Sequence, residues 1–207
     1  MAYDLEEQEQ LDEIKAWWKR YGSMLSYGLL AVVVAYAAFQ AWHIYQKKQS
    51  VTASTQHQAL LVTDAKDLKS IQMQAAALMD NFSGTPYAGR AALFVAKANY
   101  AVKDTKSAKL QLTWAIDQAK ESTVTALASL QLANILAEEN DLEGALKVLN
   151  AKHDEGFNGL FADLKGDVLV SLGKKDEAKA AYEEALKNLD PQGKYRTITQ
   201  QKLQALG

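Results

Sequence analysis

The chain has 207 residues, 48% of them hydrophobic and 23% charged, so it can bury a core and disorder is not expected. Its formal net charge of −2 includes no concentrated Lys/Arg stripe, which removes the electrostatic footprint of a nucleic-acid binder. It has no cysteine, which excludes disulfides, thiolate metal sites and thiol nucleophiles.

The first 20 residues are acidic on balance, with Asp4, Glu6, Glu7, Glu9, Asp12 and Glu13 against Lys15, Lys19 and Arg20. From 21 to 46 the sequence reads YGSMLSYGLLAVVVAYAAFQAWHIYQ, without Asp, Glu, Lys or Arg. About 24 helical residues cover ~36 Å at ~1.5 Å each, enough to cross a ~30 Å hydrocarbon layer. Trp17, Trp18 and Tyr21 at one border and Trp42 and Tyr45 at the other suit the headgroup zones. This predicts a transmembrane helix. A buried core helix does not need both aromatic borders. A cleaved signal peptide, for which Ala35-Tyr36-Ala37 offers small residues, would not follow a long acidic stretch or continue past the cut. Basic residues lean only slightly to the N-terminal side, so charge alone favours a cytoplasmic N-terminus by a thin margin. Gly28, Ala31, Ala35 and Ala38 share one helix face and form a candidate packing surface for another membrane helix.

Beyond Lys48, Ala, Leu, Lys, Glu and Gln dominate and no period-two alternation persists, which predicts helices throughout. Short helices are expected around 55–62 and 67–81. The clearest unit runs from Gly159 to Pro191. Phe161, Leu164, Val168 and Leu172 form one face, Gly173 ends the first helix, Asp176 is positioned to cap the second, and Pro191 follows it. Gly166, Gly173, Ala178, Tyr182 and Ala185 resemble the small, turn, small, large and small positions of a tetratricopeptide repeat, although Ala162 and Lys165 depart from it. A second unit carries Leu132, Ala133, Leu136, Asp141, Ala145 and Leu149. A weaker third carries Val95, Ala96, Ala108, Leu112 and Ala115. A final helix near 195–206 caps the stack. The expected fold is all-α: one N-terminal transmembrane helix followed by a tetratricopeptide-like helical-hairpin solenoid. The expected division is an acidic tail at 1–20, a span at 21–46 and a repeat domain at 47–207.

Catalysis has little to stand on. His43, His57 and His153 form no i, i+4 pair with another ligand, and no phosphate-binding glycine loop is present. The sequence predicts neither an enzyme nor a cofactor or metal site. Asn81-Phe82-Ser83 matches a glycosylation triplet, a pattern too common to carry weight. Repeat stacks of this kind bind through the surface lined by first helices. Register places Arg90, Leu93, Lys97, Tyr100, Leu130, Asn134, Asp163 and Asp167 there, as a candidate protein-binding groove or as packing between neighbouring repeats. Leu130 and Asp163 stand where a Lys/Asn clamp for a C-terminal carboxylate would need polar donors.

The acidic start, the border Trp17-Trp18-Lys19-Arg20-Tyr21-Gly22, the single span and the degenerate repeats together resemble the YfgM-type ancillary subunit of the bacterial Sec translocon. The most specific stretches are Pro86-Tyr87-Ala88-Gly89, Asp154-Glu155-Gly156-Phe157, Ala162-Asp163-Leu164-Lys165-Gly166-Asp167 and Gly173-Lys174-Lys175-Asp176. The resemblance implies a single-pass bacterial inner-membrane protein, N-terminus cytoplasmic and repeats periplasmic. It further implies association with the SecYEG translocon and with a periplasmic chaperone of the PpiD type, assisting exported polypeptides. The family brings no catalytic residues. A scaffold for another cell-envelope assembly is the competing reading.

Overall fold

A computed structural model describes residues 3–207, with side chains described from residue 9 onward. The predicted acidic tail therefore lies partly outside the described residues. Among those described there is no strand; the chain forms α1 (Tyr3–Leu61), α2 (Leu68–Asn81), α3 (Pro86–Ala101), α4 (Thr105–Gln118), α5 (Ser122–Glu138) and α6 (Leu142–Leu149). After a 3-10 turn at Glu155–Phe157 come α7 (Asn158–Ser171), α8 (Lys175–Asn188) and α9 (Lys194–Ala205). Two compact units result, Met1–Gln49 and Ser50–Gly207.

In the first unit the described apolar residues of α1 from Leu11 to Tyr45 are exposed: Leu29 is 68% exposed and Val32 66%. The helix is long and apolar enough to cross a membrane. A side chain apolar on every side and covered by nothing is stable in hydrocarbon and costly in water. The expected aromatic borders pair within themselves, Trp17 with Tyr21 (ring centroids 5.8 Å apart) and Trp42 with Tyr45 (6.3 Å).

The second unit is a stack of helix hairpins: α3 with α4, α5 with α6, and α7 with α8, as the three sequence units predict. The helix expected at 55–62 is not a separate element; it is the last part of α1, whose Ala53 and Leu60 pack with Ile71, Ala75 and Leu78 of α2 to make a fourth hairpin. The core repeats with the hairpins. Four residues after Asp67, Asp104, Asp141 and Lys174 lie Ile71, Ala108, Ala145 and Ala178, all buried. Four further on lie Ala75, Leu112, Leu149 and Tyr182, also buried. Each row is one stripe of a second helix packed on its neighbours, so no hairpin closes its core alone.

The tight turns share one geometry. Lys103, Asn140 and Gly173 take positive φ (68°, 63° and 76°). The next N–H reaches back five residues to the carbonyl of Asn99, Leu136 and Leu169 respectively, at 3.0, 2.8 and 2.9 Å. This closes the last turn of each first helix. Asp67, Asp104 and Asp141 then accept from the backbone N–H three residues on, each at 3.0 Å, and cap the second helix. The third repeat differs from the sequence reading: its cap position is Lys174, without a side-chain cap bond, and Asp176 lies inside the first turn of α8. Gly166 behaves as expected. A Cβ there would lie 2.3 Å from a ring carbon of Tyr182, so only glycine lets α8 approach α7 with that ring between them.

Candidate functional site

The eight groove candidates lie on first helices, but their surroundings differ. On α3, Arg90 donates from Nε and Nη2 to the two carboxylate oxygens of Glu121 at 2.8 and 2.6 Å, and its guanidinium lies 5.6 Å from the Tyr87 ring centroid. The hydrogen-bonded pair raises the Arg90 pKa and lowers that of Glu121, so both stay charged. Arg90 thereby braces α3 against the start of α5. Leu93 and Leu130 are half-buried and pack into two adjoining core clusters.

Lys97, Tyr100 and Asn134 come together. With Gln131 they wall a cleft of about 320 Å³ between α3 and α5, floored by Ala96, Leu112 and Ile135. The Tyr100 hydroxyl donates to Glu138 Oε2 at 2.6 Å and Asn134 Nδ2 donates to Oε1 at 3.2 Å. That bond to the Glu138 carboxylate raises the Tyr100 pKa, so the phenol remains a donor. Glu139 is engaged by Lys109, which holds its carboxyl below the usual range. Lys97 is exposed and has no ion pair or hydrogen bond within the described residues. The cleft thus offers one available ammonium, two side-chain amides and an apolar floor, the donor set for an extended peptide carrying apolar and acidic or carbonyl groups.

Asp163 and Asp167 have a different setting, because α9 lies against them. Asp163 is 9% exposed and accepts from Thr199 Oγ1 at 2.7 Å and Lys202 Nζ at 2.9 Å. Asp167 accepts from Tyr182 at 2.8 Å and from the same ammonium at 2.7 Å. Burial acts to lower the Lys202 pKa, but the two carboxylates outweigh it and the net direction is upward. Burial first, and then Asp167, push the Tyr182 phenol strongly up.

Sequence reasoning passed over Gln131, which lines the cleft, and Leu127, one turn earlier on α5 and 37% exposed. Leu127 follows Arg90 by 37 residues, the spacing of the Asp67, Asp104 and Asp141 caps, and that period was the signal available. On the membrane helix Gly28, Ala31, Ala35 and Ala38 are all exposed, and a Cβ at Gly28 would meet nothing within 4 Å. The three histidines stay apart: His57 stands beside Tyr87 and His153 lies flat on Phe161, ring centroids 3.6 Å apart.

Known proteins give this geometry a context. A family model described as a tetratricopeptide repeat-like domain matches residues 15–207. The chain is similar to a protein named ancillary SecYEG translocon subunit in Haemophilus influenzae, 29% identical over 89% of this chain and 91% of the relative. Proteins of the same name in Neisseria gonorrhoeae (27% identical, covering 100% of both chains) and Escherichia coli (26%, covering 88% of each) are similar too. The names describe a translocon subunit, in agreement with a binding protein and not an enzyme. The chain belongs to the tetratricopeptide repeat-like domain family, and its resemblance to YfgM-type ancillary translocon subunits extends over nearly its whole length.

Proposed function

We propose that this chain is a membrane-anchored, protein-binding adaptor of the SecYEG translocon that assists exported polypeptides together with a periplasmic chaperone of the PpiD type. The observation that carries the reading is the open cleft between α3 and α5, with the unpaired Lys97 at its wall, in a chain that also holds an uncovered apolar helix. Residues 21–46 span the bacterial inner membrane, residues 1–20 stay cytoplasmic and residues 47–207 face the periplasm. Tethering confines the repeats to the membrane surface and raises their effective concentration near the channel. An emerging chain is extended and offers unpaired backbone carbonyls and apolar side chains, which match the amides of Gln131 and Asn134 and the floor of Ala96 and Ile135.

The test is a photoreactive side chain at Lys97 or Gln131 in the full-length protein, irradiated in intact inner-membrane vesicles during export. Adducts to translocon subunits, the chaperone or a nascent chain are expected. Adducts only to another envelope assembly would establish the scaffold reading instead.

A further inference from the structure

The second helices are not of equal length. α4 and α8 have 14 residues each, whereas α6 has 8. Register shows why. Eleven residues beyond Asp67, Asp104 and Lys174 lie Leu78, Ala115 and Ala185, each fully buried. The matching residue of the α6 repeat is Lys152, exposed and outside the helix. A lysine cannot take the place of a buried methyl group without losing its hydration, so the helix stops before reaching it. The chain continues through Asn150 to Asp154 as a turn with no helix, and His153 lies flat on Phe161. About six residues, or ~9 Å, of second helix are missing from this layer of the stack.

The shortfall coincides with an open trench of about 580 Å³ between the end of α6 and helices α7 and α8. It shares no residue with the α3–α5 cleft. Leu149, Phe161 and Leu169 form its floor, and the small side chains of Ala162, Ala180 and Ala181 leave it wide enough for another backbone to come close. Its charge is arranged by side. Glu177 and Glu184, two turns apart on one face of α8, form one wall; both are exposed. Their ionic partners, Lys174 at 3.8 Å and Lys187 at 3.5 Å, are exposed lysines three residues away whose screened contacts a docked basic residue can replace. Across from them Lys165 of α7 is held by the Asn150 side-chain oxygen at 2.7 Å, a neutral partner that leaves its charge uncompensated.

We propose that this trench is a second docking site, which takes a short amphipathic helix of a partner protein in the place of the missing half of α6. The helix sets apolar residues at i, i+3 and i+4 spacing against Phe161, Ala162 and Ala180. It carries a Lys or Arg toward Glu177 and Glu184 and an Asp or Glu toward Lys165. The site is independent of the translocon reading: it requires only a helix of this pattern.

The experiment places a photocrosslinking residue at Ala180 in the full-length protein in its own membrane and sequences the captured peptide. One partner segment with the stated apolar spacing and a basic flank is expected. Glu177→Lys with Glu184→Lys should cut its capture about tenfold by placing like charges together. Changing the partner's basic residue to Glu should restore it. The neutral pair Glu177→Gln and Glu184→Gln gives a smaller loss, and an unchanged melting temperature excludes misfolding. Capture of a second copy of this chain, of a segment lacking the pattern, or of any segment at undiminished yield in the charge-reversed variant overturns the proposal. So does the absence of a protein adduct.

Discussion

Single positions in the turns decide how firmly each hairpin closes. Lys174 has φ −86° and ψ 67°, within a few degrees of the three aspartate caps, yet it offers no acceptor to the first turn of α8. Its ammonium instead lies 3.8 Å from Glu177, an exposed contact of little value. Lys174→Asn should satisfy one open N–H without adding a third acid beside Asp176 and Glu177. The expected gain is about 0.5–1 kcal/mol, or ~1–4 °C in melting temperature for a chain of this size. Asp141→Ala should cost about 1 kcal/mol in the same assay. A scan in which Lys174→Asn leaves the midpoint unmoved would refute the shared-cap argument. Gly173 and Gly166 were readable from sequence because glycine adopts a positive φ without strain, although Lys103 and Asn140 take it at the equivalent turns, and because only glycine leaves room for a ring pressed onto the backbone. The cap was misread because Lys174-Lys175-Asp176 presents its acceptor two residues late, and the bond from Lys174 N–H to Leu169 sets the boundary.

At the scale of elements, α9 is held by Leu203, packed on the Leu169–Tyr182 cluster of α7 and α8, and by a set of polar contacts. Thr199 is its one fully buried side chain, bonded to Asp163, and Lys202 bridges two carboxylates on α7. Lys202→Met would leave Asp163, almost buried, with a single side-chain partner. Losing a partner of this kind costs about 1–3 kcal/mol. Faster amide hydrogen exchange confined to α9, with α3 to α6 unchanged, is the expected result; uniform protection in the variant would count against it. The pH sign follows from the raised Lys202 pKa. The bridge contributes fully below the unfolded value of about 10.4 and is lost as pH rises through the higher folded value. Thermal stability should therefore fall more steeply in strong alkali for the native chain than for Lys202→Met. The same contacts bear on the two readings the sequence leaves open for Asp163 and Asp167, groove or packing: α9 is expected as a cap, but its reach onto α7 depends on how the helices stack.

For the whole molecule, the uncovered apolar residues of α1 demand hydrocarbon around them. Burying side chains such as Leu29, Val32 and Val33 in lipid is worth about 25 cal/mol per Å². Alkaline carbonate washing should consequently leave the full-length chain in the membrane pellet, even where high pH weakens the Lys202 bridge. Recovery in the supernatant would remove the anchor. The helical class, the candidate span and the hairpins were legible in chain order because each depends on composition or on spacing along one helix. Both helices of the fourth hairpin were expected, but not that the first is a continuation of α1, since nothing in the sequence between the span and residue 55 marks where one helix would pass into the other. Arg90, Lys97, Asp163 and Asp167 look alike in a linear reading, as charged residues on first helices, with Lys97 and Asp167 at the same repeat position. Glu121 engages the first, Lys202 the last two, and Lys97 is left available. Those partners lie more than 30 residues away, and pairing at that distance depends on the packing of separate helices.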